Sequence, residues 1–191
     1  MASISRIHPE PAEPPPETAG GGRILSWRMP GTEYGKAVDG VLAEIRPRIW
    51  AAEREWAEAP CLLSELLRHT PARREMLVRN SRRFRNLALC GLLLERSHQG
   101  IAAAPVQGER LAVLALALVE SLDANWYGHW SLADARARCW MLIGNARRMA
   151  ADKLGAEEAF RRSEVYLRQG TGGREERDQL VAYRAGPSRI T

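Results

Sequence analysis

Along most of the chain the apolar residues recur every three or four positions, the spacing of one face of an α-helix, and no alternating stretch is long enough for a strand. From Glu33 to about Glu58 such a face is marked by Val38, Val41, Leu42, Ile45, Ile49 and Trp50. Pro47 interrupts it, because proline lacks the N–H that the helical ladder uses, so one bent helix or two short ones are expected. Past Ala59-Pro60 a short amphipathic segment, Cys61 to Arg68, presents Leu62, Leu63, Leu66 and Leu67. Thr70-Pro71 then reads as a helix start, threonine as N-cap and proline in the first turn. This helix is expected to run to about Ser97, burying Leu77, Phe84, Leu87, Ala88, Leu92 and Leu93, and to stop before Gly100.

A fourth helix, about Gly108 to Leu122, is apolar almost all round and so is expected between neighbours. Asp123 to Trp130 reads as a loop whose Trp126, Tyr127, His129 and Trp130 need either a core pocket or a ligand, with core sealing favoured. Ser131 and Asp134 have the spacing of a capping box, opening a helix to about Ala151. After a break near Leu154-Gly155 come helices over Ala156 to Arg168, ended by Gly170 and Gly172, and over Arg174 to Ala185. The fold class is therefore all α, antiparallel helical hairpins over residues 32–185. Residues 1–31, rich in proline and carrying Gly20-Gly21-Gly22, cannot bury enough apolar surface to offset ordering and are expected to form a disordered tail. Residues 186–191 are expected to form a short flexible one.

Composition narrows the picture. A chain of 191 residues with 45% hydrophobic and 27% charged residues suits one medium domain or a short run of repeats. Its formal charge of +5 permits acidic partners without requiring them. All but Lys36 and Lys153 of the 28 basic residues are arginine, a bias that a GC-rich genome produces as readily as selection for phosphate binding. Cys61, Cys90 and Cys139 are odd in number and widely separated, as expected of small core residues in a reducing cytoplasm. The apolar runs Leu87 to Leu94 and Leu111 to Val119 fall well below the ~20 residues that span a bilayer, so no membrane partner is expected. His8, His69, His98 and His129 form no ligand-spaced pair, and neither a nucleophile elbow nor a phosphate-binding glycine loop is present. No metal, cofactor or catalytic residue is expected, and the chain reads as a non-enzyme.

One stretch has a recognisable repeat spacing. Within residues 137–170, Trp140, Ile143, Gly144, Ala156 and Phe160 stand where the tetratricopeptide repeat has its Trp, Leu-Gly, Ala and Phe, and the stretch resembles one unit of that family. Arg147, Ser163 and Arg168 depart from the pattern, and the flanking 34-residue windows match poorly. An ordinary helical hairpin with a close crossing at Gly144 and Ala156 would have the same local geometry. The resemblance implies a short superhelix and a non-catalytic scaffold that binds a protein or peptide. It also implies a groove lined by the first helix, with Arg138, Met141, Asn145 and Arg148 exposed on one face and suited to an acidic segment. One clear unit is fewer than a solenoid needs. The chain is thus expected to be a piece of a longer array, or to have its final hairpin covered by a partner or a second copy.

The alternative is a nucleic-acid-binding regulator. Between Arg68 and Arg85 seven arginines stand against Glu75 alone, and Arg74, Arg79, Arg82, Arg83 and Arg85 would carry phosphate contacts, with Arg74, Arg82 and Arg85 on one helix face. The same run reads equally as a solvated face, or as one paired with Glu53, Glu55 and Glu58.

Overall fold

A computed structural model of the protein describes residues 33–186; the expected tail over 1–31, and all of that over 186–191 except Gly186, lie outside the described residues. Eight α-helices and no strand occur among them, so the fold is all α. They are α1 (Glu33–Leu67), α2 (Pro71–Asn80), α3 (Leu87–Ile101), α4 (Pro105–Glu120), α5 (Ala124–Tyr127), α6 (His129–Met149), α7 (Lys153–Gln169) and α8 (Arg174–Ala185). Two compact units divide between Ala43 and Glu44, and the packing that follows is that of the second.

The 35-residue α1 runs through both Pro47 and Pro60, so neither the expected break near Ala59-Pro60 nor a division into two helices occurs. Each proline removes one donor from a long ladder, a loss that the remaining bonds and the packing of the C-terminal turns outweigh. Ala59, Leu62 and Leu66 are buried there, whereas Ile45, Ile49, Trp50 and Trp56 stay exposed.

The single helix expected over residues 71–97 is instead two. Ser81 turns extended (φ −101°, ψ 121°), Arg82–Phe84 form one 3-10 turn, and a new helix starts after Asn86. Asn86 is the reason for the restart. Its Oδ1 accepts from the Leu89 N–H at 2.8 Å, and its amide donates to the Glu55 carbonyl at 3.1 Å. It thereby satisfies an orphan donor of α3 and ties α3 to α1 while itself buried. Glu55 adds a second cap, its carboxylate accepting from Leu87 N–H at 3.0 Å and from the Tyr127 hydroxyl at 2.7 Å.

α3 and α4 pack antiparallel, with Ser97 Oγ donating to the Gly108 carbonyl at 2.7 Å. A Cβ at Gly108 would stand 2.5 Å from Ile101 Cγ1, so glycine is what allows this approach. α4 lies against both α3 and α6, the sandwiched place its all-round apolar surface predicts. The expected 123–130 loop contains the one-turn α5, and Gly128, at φ +85°, separates it from α6. α6 begins at His129, so Ser131 is not its N-cap; the expected capping box is absent because Asp134 instead accepts from the Thr171 N–H and Oγ1. α7 begins at Lys153, one turn before the expected Ala156, because Asp152 caps it through the Gly155 N–H.

The main core joins Leu62 and Leu66 of α1 to Leu89 and Leu93 of α3, Leu118 of α4, and Leu132 and Ile143 of α6. A smaller one gathers Ala137 and Met141 of α6, Ala156, Phe160 and Leu167 of α7, and Leu180 of α8. Cys90 and Cys139 are buried as expected, and burial pushes the Cys139 thiol well above its ordinary range. Cys61, also expected in the core, is exposed: it follows Pro60 on the solvent side of α1, opposite Ala59 and Leu66. Among the described residues no helix is long and apolar enough to cross a membrane.

Candidate functional site

The second half of the chain is organised by α6, which presents different side chains to two cores. Cys139, Leu142, Ile143 and Ala146 enter the main core, while Ala137 and Met141 face the smaller one. α7 returns antiparallel to α6, as three contacts of falling separation show: Ser163 Oγ donates to the Ala137 carbonyl at 2.9 Å, Gly144 meets the Phe160 ring, and Arg147 reaches the Gly155 carbonyl at 3.3 Å. The close crossing expected at Gly144 is there, but with a different neighbour. A Cβ at 144 would lie 2.5 to 3.1 Å from three Phe160 ring atoms, so the aromatic ring, rather than the Ala156 methyl, occupies the space. Ala156 is buried nearby, and Trp140 is partly buried with the Arg162 guanidinium 4.6 Å above its ring.

Arg138, Met141, Asn145 and Arg148 share one face of α6, yet that face is not open. α8 runs parallel to α6 across it. Near the start of α8, Glu176 receives a 2.5 Å hydrogen bond from Arg138 Nη2; just past its end, Gly186 passes close to Arg148 Nη1. Met141 is 1% exposed and Asn145 7%, which corrects the expectation that both face solvent. Asn145 Oδ1 accepts from Arg148 at 2.9 Å, and Arg148 Nε is buried with no partner. Leu180 closes the apolar floor over Met141, Phe160 and Leu167, so the apolar surface of the final hairpin is covered by the chain's own last helix.

The other fastenings of α8 are polar. Arg184 bonds to both Glu157 (2.9 Å) and Glu164, and Tyr183 meets His98 Nδ1 of α3 at 2.9 Å. The Glu176 carboxyl is held below the ordinary glutamate range, first by the Arg138 hydrogen bond and then by a backbone one, against the opposing effect of burial. Beside α8 a cavity of about 290 Å³ opens between α3, α6 and α8, lined by Leu94, His98, Arg138, Met141, Glu176 and Gln179 among others. Chemically this is a strip of arginines and an asparagine around an apolar floor, holding an amphipathic helix of balanced charge whose first turn carries Glu175 and Glu176.

The arginine-rich segment is arranged differently from the expectation. Arg74, on α2, and Arg82 and Arg85, beyond its end, do not share a helix face, because the helix stops at Asn80. Arg74 donates to the Leu67 carbonyl at 2.6 Å, Arg79 pairs with Glu75 at 3.1 Å, and Arg83 pairs with Glu65 at 2.7 Å; Arg82 and Arg85 are exposed. Glu65 thus does the work expected of Glu53, Glu55 and Glu58. In the aromatic cluster Tyr127 is partly buried, and burial, together with its hydrogen bond to Glu55, raises its phenol pKa; the hydroxyl oxygen also lies 3.3 Å from the Arg85 carbonyl. Trp126 and Trp130 remain exposed, so sealing the core describes Tyr127 alone. Among the described residues no group of three or more His, Cys, Asp and Glu side chains could hold a metal ion.

Sequence reasoning missed the docking of α8. The signals were the acidic pair Glu175-Glu176 in its first turn and Leu180 four positions on, complementary to Arg138 and Met141. Compared with protein-family models, curated proteins and solved structures, the chain matches none.

Proposed function

We propose that the chain is a non-catalytic protein-interaction module of tetratricopeptide type, whose α6–α7 hairpin receives an amphipathic helix with glutamates in its first turn along Arg138, Met141, Asn145 and Arg148. The observation that carries this reading is α8 itself: Arg138 takes the carboxylate of Glu176 while Leu180 enters the floor beside Met141. A helix seated in a groove through one apolar anchor and a charged flank is a recurrent way of binding peptides. In this reading α8 is a resident ligand, and a partner helix of the same chemistry takes its place.

The test uses a labelled peptide copying residues 172–186 and two forms of the full chain. In one, Glu176→Arg with Leu180→Asp undocks α8; the other is unaltered. The undocked form is expected to bind the peptide at least tenfold more tightly than the unaltered chain, and Arg138→Glu in the undocked form is expected to abolish binding. Equal affinity for both forms, or binding indifferent to Arg138, refutes the groove.

The nucleic-acid reading keeps support from Arg82 and Arg85, exposed beside the 3-10 turn, while Arg74, Arg79 and Arg83 are engaged within the chain. DNA or RNA retained at low salt and released steeply as salt rises, with loss on Arg82→Ala and Arg85→Ala, would favour it.

A further inference from the structure

α1 carries apolar surface that the fold leaves unused. Ile45, Ile49, Ala52, Trp56, Ala59, Leu63 and Leu66 follow one another at alternating intervals of four and three. That 3.5-residue period keeps a helix seam facing a second helix over several turns. Ala59, Leu63 and Leu66 spend the seam inside the main core. The preceding turns do not: Ile45 is 42% exposed, Ile49 45% and Trp56 60%, with Ala52 exposed between them. In sequence the same spacing continues back through Leu42 and Val38.

The charges beside the seam are ordered by sign. Arg46 and Arg48 flank its first part, Glu53 and Glu55 its second. A two-fold axis between Trp50 and Ala51 reverses that order in a second copy, placing Arg46 beside Glu53 on one flank; on the other, Arg48 meets Glu55, whose carboxylate already accepts from the Leu87 N–H and the Tyr127 hydroxyl of its own chain. The same axis sets Ile45 opposite Trp56 and Ile49 opposite Ala52, so Ala52 leaves room for Ile49 in the two inner layers while Trp56 covers Ile45 in the two outer ones. A parallel pairing would stack Trp56 on Trp56 and Ala52 on Ala52, leaving one layer overfilled and the next hollow. Pro47 falls on the outer side of the helix in this register, where it obstructs nothing. Next to the seam, Ala52 and Trp56 also border an open cavity of about 300 Å³ with Leu87, Trp126 and Tyr127, room into which a facing side chain can enter.

We propose that α1 pairs antiparallel with α1 of a second copy of this chain through Ile45, Ile49, Ala52 and Trp56, with Arg46 facing Glu53 of the other copy. The surface is independent of the α6 groove, so either can fail without the other.

Sedimentation of the full chain over roughly 1–100 µM, a range wide enough to reveal association of ordinary strength, reads the oligomer directly. A dimer is expected. Ile45→Glu with Ile49→Glu, both at exposed positions, is expected to give a monomer with unchanged helical circular dichroism. Arg46→Glu should weaken the dimer at least tenfold, and adding Glu53→Arg should restore it. Orientation is read in a Cys61→Ser background: a mixture of Ile49→Cys and Ala52→Cys chains is expected to oxidise to the mixed disulfide. A monomer throughout the range, a dimer indifferent to the Ile45/Ile49 changes, or crosslinking only between like chains overturns the proposal.

Discussion

Single positions set the tightest tolerances in this fold. Gly144 is the clearest, since the Phe160 ring stands where its side chain would be and is itself buried. Gly144→Ala is therefore expected to lower stability by about 1–3 kcal/mol, the usual cost of overpacking, read as a fall in the urea midpoint at constant slope. A variant as stable as the parent would mean that the ring moves aside freely. This constraint was visible in the sequence, because a glycine amid Leu142, Ile143 and Ala146 has no reason to persist in a helix except a near neighbour. The identity of the neighbour was not visible. A spacing of twelve between Gly144 and Ala156 fits antiparallel contact as well as the sixteen to Phe160 does, and only three-dimensional register decides between them. Asn145 and Met141 show the limit more sharply: their helical face could be read from spacing, but not that another part of the chain covers it.

At the scale of elements, periodicity located the helices, and capping chemistry set where they begin and end. Residues 71–97 carry apolar spacing throughout, yet Asn86 restarts the helix because its side chain supplies what the new first turn lacks. Asn86→Ala is expected to cost about 1–2 kcal/mol, since the cap is lost together with the tie from the Asn86 amide to the Glu55 carbonyl. Thermal unfolding checks this; a change under a few tenths would show that water replaces the cap. α8 answers to pH. The carboxyl of Glu176 is depressed in the docked state, so its contribution is present above the unfolded glutamate pKa of ~4.3 and is lost as pH falls through the lower, docked value. Spectra of the residues of α8, followed from pH 6 to pH 3, should show undocking only at the acid end and not in Glu176→Gln. An undocking that persists in Glu176→Gln assigns the titration elsewhere.

For the molecule as a whole, two apolar clusters of unequal size share α6. The larger joins α1, α3, α4 and α6; the smaller depends on α8 contributing one buried leucine. Local opening free energies follow buried contacts, so amide hydrogens of α8 are expected to exchange first and those around Leu118 and Leu132 last. Exchange of α8 as slow as that of α4 would contradict this order. All-α character and the place of α4 between neighbours followed from pattern alone. The docking of α8 did not, because its spacing marks an apolar stripe without naming the surface that stripe meets.

The link from Gln169 to Arg174 is only four residues long, Gly170-Thr171-Gly172-Gly173, and three of them are glycine. Gly172 sits at φ +64°, and Thr171 is pinned to Asp134. A leash of that length restricts the released helix to a small sphere around its seat, equivalent to a local concentration of order millimolar. Any outside competitor contends with that figure. The brevity of four residues thus sets an affinity threshold, and lengthening the leash would lower the threshold without altering a single contact in the seat.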